Sequence, residues 1–184
     1  MHLVNVVRSK SALIGLASAV LAAVSTAGPA AAAESGKSIT FTLSTNNDVT
    51  TVVACPPGTP SNIVMCGYAT NTPLAASNTA GDAGLSGTIT ESFVSALAAP
   101  APTADCAVAM ADQSAITLNT SKGQIFLVTK GSFCTVTGKD VEPFVILGGT
   151  GEYQGATGSG VVNAQQISPT AASETYQGTI TLAR

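Results

Sequence analysis

Histidine occurs once in the 184 residues, at position 2, and tryptophan does not occur at all. A catalytic set of serine, histidine and aspartate, or of cysteine and histidine, cannot be assembled beyond the first residues, nor can a histidine-ligated metal site. Chemistry is left to carboxylates, tyrosines, lysines, backbone dipoles and shape. Basic residues are scarce as well. After residue 33 only Lys37, Lys122, Lys130, Lys139 and Arg184 remain, against ten acidic side chains, a net charge of −5. No patch can neutralise phosphates, so nucleic acid is not an expected partner. Beyond residue 33 no apolar run approaches the ~18 residues of a membrane span. Cys-x-x-Cys knuckles are absent too, which argues against a tetrathiolate centre. No metal and no cofactor is expected.

What is present begins with an export signal. Arg8 and Lys10 precede the apolar stretch "SALIGLASAVLAAV" (11–24), and Ala31 and Ala33 fit a small-residue cleavage rule. The reading is a signal helix over 1–33, cut after Ala33, on the general secretory route because the basic pair is not a twin arginine. Residues 34–184 then form a single domain, located outside the cell or in its envelope, with no membrane association after cleavage. Four cysteines in an exported chain suggest two disulfides. Of three pairings, Cys55–Cys66 with Cys106–Cys134 is favoured, because each closes a local loop. "CPPGTPSNIVMC" is a proline-rich excursion that a short bridge would tie down.

The rest of the chain alternates like β-structure. "SITFTLST" puts Ile39, Phe41 and Leu43 on one face, and "VTTVVAC" and "NIVMCGYAT" read as further strands. "LSGTITESFVSAL" (85–97) puts Ile89, Glu91, Phe93 and Leu97 together. "ETYQGTITLA" aligns Tyr176, Ile180 and Leu182. Eight or nine strands result, indicating an antiparallel barrel or sandwich. The stretch 70–84 is the least ordered by composition, and 99–105 reads as a loop. "EYQGAT" at 152 echoes "TYQGTI" at 175, as equivalent places on neighbouring strands would.

"FVILGGTGEYQGATGSGVV" (144–162) decides between two readings. A dinucleotide-binding turn must open a helix, yet Gly155, Gly158, Gly160, Val161 and Val162 make a poor one. A β-turn needs positive-φ residues, which Gly149 and Gly151 can supply, and a barrel strand needs glycines where it bends. The stretch resembles the C-terminal part of the allene oxide cyclase and dirigent barrel family. Members carry a Gly-Gly-Thr/Ser-Gly turn, here Gly148 to Gly151, an aromatic two residues on, here Tyr153, and a Gly/Ala-rich strand. The resemblance is good from 144 to 182, plausible over 85–183, and only a strand pattern before that. It implies an all-β, eight-stranded antiparallel closed barrel around an apolar cavity, working without a cofactor. The arginine that dirigent barrels carry after the turn is missing from "GATGSG". The glutamate that the cyclase has in its first strand is missing from "SITFTLST". The family's catalytic residues therefore do not carry over.

Among charged residues Glu91 stands out. On the parity of Ile89 and Phe93 it can point inward, where desolvation raises its pKa and suits it to acid or base work. A rim or outward position leaves it solvated, and that is the expectation. Tyr153 and Tyr176 are weaker candidates, expected as core residues with hydroxyls bonded to backbone. Tyr68 is expected beside a disulfide, Lys130 to snorkel, and Asp140 and Glu142 to be solvated in a turn before Pro143. Asp82 lies in too short a motif for a calcium loop. The functional expectation is an exported barrel that binds a small apolar molecule without turnover. Its alternatives are a cofactor-free cyclase or isomerase, and a packed envelope interaction protein. Oligomerisation is left open.

Overall fold

A computed structural model describes residues 36–76, 84–97, 106 and 108–183. The expected signal segment 1–33, Asp82 and the expected loop 99–105 lie outside them. Eight strands form the chain: β1 (Ser38–Val53), β2 (Ile63–Ala76), β3 (Gly87–Leu97), β4 (Ala109–Thr120), β5 (Gly123–Cys134), β6 (Lys139–Gly149), β7 (Thr157–Ser168) and β8 (Ala171–Thr181). Each pairs antiparallel with the next, and β8 returns to β1, closing the barrel. Closure leaves no sheet edge exposed.

Two expected strands prove to be one. "SITFTLST" and "VTTVVAC" are the two halves of β1, joined through a register shift between Thr45 and Asp48. Before the shift the inward residues are Ile39, Phe41, Leu43 and Thr45. After it they are Asp48, Thr50 and Val52. A second shift lies beside it on β2, between Ala69 and Thr72, where Asn71 adopts φ +57°. An inserted residue reverses the side-chain alternation. Thr72 thereby turns inward to meet Asp48. Residues 70–76, expected to be the least ordered, are therefore strand.

The lower part of the barrel is filled. Phe41, Leu43, Leu74, Ile89, Leu118, Ile125, Leu127, Ile146 and Ile180 interdigitate there, with Leu85 and Tyr153 closing the base. The Phe144 ring stacks on Phe41 at 6.1 Å between centroids. It lies over Gly160 and Gly178, where a Cβ would come within 2.4 and 2.6 Å of its Cζ. Both are sites of close approach, Gly160 in the glycine-rich strand, where a bend was expected, and Gly178 on β8.

The turn after β6 opens no α-helix, which removes the nucleotide reading. It is a single 3₁₀ turn, Gly151–Tyr153, bonded to the β4–β5 hairpin through Glu152 N–H to Lys122 O. Gly151 has φ +60°, as expected. The partner positive-φ position is Gly148, not Gly149. Tyr153 sits in this turn and Tyr176 in mid-strand, so the echoed stretches are not equivalent places.

Both disulfides form in the favoured pairing, Cys55–Cys66 and Cys106–Cys134. Cys134 lies on the outer parity of β5, with Phe126, Val128 and Lys130, while Ile125, Leu127 and Thr129 face inward. Lys130 is exposed accordingly. Tyr68, also outward, pairs across from Thr51 on β1.

Candidate functional site

Above the packed layer the barrel is hollow. A cavity of about 250 Å³ opens at the end where β1, β3 and β5 finish, while the packed end retains a void of only about 10 Å³. Six carboxylates line the cavity: Asp48 from β1, Glu91 from β3, Asp112 from β4, Asp140 and Glu142 from β6, and Glu174 from β8. Among the described residues no lysine or arginine lines it. Val52, Met65, Phe93, Met110 and Phe133 supply apolar wall nearer the mouth.

Glu91 corrects the expectation of a solvated group. It is 9% exposed, and its pKa is pushed up to about 8. Desolvation is the main cause. Ser114 opposes it by hydrogen bonding, and the charges of Asp48, Glu142 and Asp112 add to the rise. At neutral pH this carboxyl retains its proton to a large extent. Leu97, by contrast, is 62% exposed, as the last residue of β3 at the open rim.

Asp48 is fully buried. Thr72 Oγ1 donates to its Oδ1, and its Oδ2 has no partner. Tyr176 spans the two halves of the barrel. Its ring belongs to the apolar core, and its hydroxyl donates to Glu174 Oε2 at 2.8 Å. That corrects the expected backbone partner. Tyr153 keeps the expectation, with its hydroxyl donating to Gly84 O at 2.9 Å, far from the cavity. Burial raises the Glu174 pKa well above the usual range, helped by the charges of Glu91 and Asp48. Carboxylate oxygens of Asp48, Glu91 and Glu174 lie within 4.8 Å of one another.

Asp140 and Glu142 are not in a turn. They occupy inward positions of β6, because the strand begins at Lys139, and Pro143 faces outward. Desolvation, with Glu142 and Asp112 close by, pushes the Asp140 pKa up to about 8. Asp112 on β4 completes a second group of three within 4.8 Å, its Oδ1 accepting from Ser95 Oγ at 2.8 Å.

Four of the six carboxylates escaped the sequence reading as site residues without lacking a signal. Asp112 shares parity with Ile116 and Leu118, Glu142 with Phe144 and Ile146, and Glu174 with Tyr176 and Ile180. Asp140 stands two residues before Glu142 on the same face. Asp48 follows the shift in β1, so alternation counted from Phe41 assigns it to the wrong side.

No family model and no curated protein sequence matches the chain. Among solved structures the chain is similar to the pterocarpan synthase dirigent protein PsPTS1, at 14% identity and a TM-score of 0.48. That match covers 82% of this chain and 97% of that one. The pterocarpan synthase dirigent protein GePTS1 is similar at 14% identity and a TM-score of 0.45, over 80% and 85% of the two chains.

Proposed function

We propose that this is an exported barrel protein that takes a small ligand into its acidic end, one that joins an apolar body to a positively charged group such as a protonated amine. The observation that carries the reading is the cavity wall of six carboxylates, with no basic residue among the described ones. A neutral apolar guest would displace water from these groups and return nothing to them. A cation satisfies them, while Phe93 and Phe133 offer ring faces to it and apolar contact to its body. The expected apolar ligand thus keeps its body and acquires a charge. Export is supported by the two disulfides, which persist in oxidising compartments. The test is native mass spectrometry of the secreted protein, followed by calorimetry with matched pairs of aryl-alkyl amines and their neutral isosteres. Amines should bind at least ~10-fold more tightly, and Glu174→Gln should reduce the difference. Equal or tighter binding of the neutral isosteres would refute the reading.

A cofactor-free isomerase remains the second reading, favoured by one observation. Glu91 can present a proton inside a partly dry cavity at neutral pH. Turnover of an acid-sensitive epoxide or quinone methide would then depend on it. Glu91→Gln should lower the rate ~10²–10⁴-fold with little change in binding. A rate unchanged in that variant removes this reading.

A further inference from the structure

We propose that Asp112, Asp140 and Glu142, at the open end of the barrel, hold a calcium-like divalent cation bound through oxygen alone. β4 and β6 are not neighbours, since β5 runs between them. Asp112 pairs with Gly131 of β5, at an inward position. A Cβ on that glycine would stand 2.4 Å from Val141 O and 2.6 Å from Glu142 Cγ. The missing side chain is what lets carboxylates two strands apart reach each other over β5. One oxygen from each of the three lies within 4.8 Å of the other two. Ligands around calcium sit at ~2.3–2.6 Å from the ion and so up to ~5 Å apart. The triad therefore frames a space of the right size.

A separate observation indicates that something belongs in it. Asp140 Oδ1 and Glu142 Oε1 are buried and without a hydrogen-bond partner, and Glu142 is only 6% exposed. These two carboxyls also interact directly with each other. Two acceptors set side by side need a proton or a cation between them, and a buried unpartnered acceptor is destabilising by ~1–3 kcal/mol or more when charged. Among the described residues no lysine or arginine lines the cavity to serve. The deeper triad differs in degree: it leaves one such oxygen, Asp48 Oδ2, against two here. The rim also opens to water, which can complete the six to eight oxygens that calcium takes. With neither nitrogen nor sulfur in the set, zinc and copper are disfavoured.

The triad is half of the acidic wall on which the amine reading rests, but calcium is titrated without any amine present and the amine test changes Glu174, outside the triad, so either reading can fail alone. The mature protein is titrated with calcium chloride by calorimetry, and with manganese chloride by electron paramagnetic resonance, with calcium as competitor. One ion per chain is expected, with Kd of ~10⁻⁴–10⁻³ M, the range of extracellular calcium modules. Asp140→Asn combined with Glu142→Gln should weaken binding at least ~10-fold while the thermal melt shows a folded barrel. Gly131→Ala keeps every charge and should weaken it too, by pushing Glu142 away. Glu152→Gln, an exposed carboxylate at the other end, should leave the titration unchanged. The proposal is overturned by the absence of saturable binding up to ~10 mM calcium. It is equally overturned by undiminished binding in the double variant, or by a loss in Glu152→Gln as large as in the double variant, which would indicate diffuse attraction alone.

Discussion

The two ends of the barrel are built from the same strands and held by different means. At the closed end Phe144, Phe41, Ile89 and Ile180 fill the interior, and Tyr153 ties the basal turn to Gly84. At the open end there is a hollow of about 250 Å³ whose walls carry six acids. Neither packing nor charge stabilises that end, and both disulfides are placed there. Cys66 is opposite Val53 at the end of β1, and Cys134 is opposite Ala109 where β4 begins. A hollow end is necessarily the weaker end, since open space cannot also be core. Here covalent bonds compensate for what packing cannot supply.

Reducing both disulfides is the harshest way to break this division of labour. Each bridge should contribute ~3 kcal/mol, largely by restricting the unfolded chain. Denaturant midpoints should fall accordingly, with amide exchange rising first in the mouth-side halves of β2, β4 and β5. Uniform exchange at both ends would show that the bridges do not serve the open end. Phe144→Ala attacks the other end. It removes a 1%-exposed ring and should destabilise by ~4 kcal/mol. The mouth disulfides cannot compensate for this, so the melting temperature should fall in oxidised protein too.

Acidity sharpens the contrast because, among the described residues, the carboxylates with raised pKa values all line the open end. Glu91, Asp140, Glu174, Asp48, Asp112 and Glu142 all have raised pKa values. Between the unfolded value near 4.5 and a folded value of about 8 for Glu91, the native state binds more protons than the unfolded chain. Stability should therefore be greatest in mild acid and fall as pH rises through that window. The loss should be of order 3 kcal/mol, or about 10 °C in melting temperature. Glu91→Gln should flatten the slope and raise the melting temperature at pH 8. A melt that rises from pH 5 to pH 8 would mean these groups are solvated. The smallest effect belongs to Tyr153→Phe, which leaves the Gly84 carbonyl without its donor and should destabilise by ~1 kcal/mol at the closed end. Amine affinity at the far end should not change.

Much of the barrel was legible because strand alternation and core filling report the same fact. Ile39, Phe41 and Leu43 face inward both in the pattern and in the structure. The glycine turn was legible because positive φ restricts residue choice, although Gly148 rather than Gly149 takes it. The acid cluster was not legible as a cluster. Each carboxylate can be placed on a face from its own strand, but only closure brings five strands around one space. Pro143 suggested a turn because proline usually interrupts sheets. Here it faces outward on β6 and leaves the inward alternation of Asp140 and Glu142 intact. Phe126 and Val128 show the opposite hazard, since apolar side chains on a barrel exterior imitate a core stripe.

The register shift in β1 works like a reading frame. Upstream of it the frame sends odd-numbered residues inward, and downstream it sends even-numbered ones. Three steps along β1, from Thr45 to Asp48, span two on β8, from Glu174 to Ala172, so one residue is extra. Removing position 46 or 47 would erase the offset and leave Thr45, Asp48, Thr50 and Val52 in a single alternation, all still inward. Losing Val49 instead would keep Asp48 in place and send Thr50 and Val52 outward together, touching none of the packed residues from Ile39 to Leu43. The lining of the cavity is therefore set by where along this strand a residue is gained or lost, and not by its composition alone.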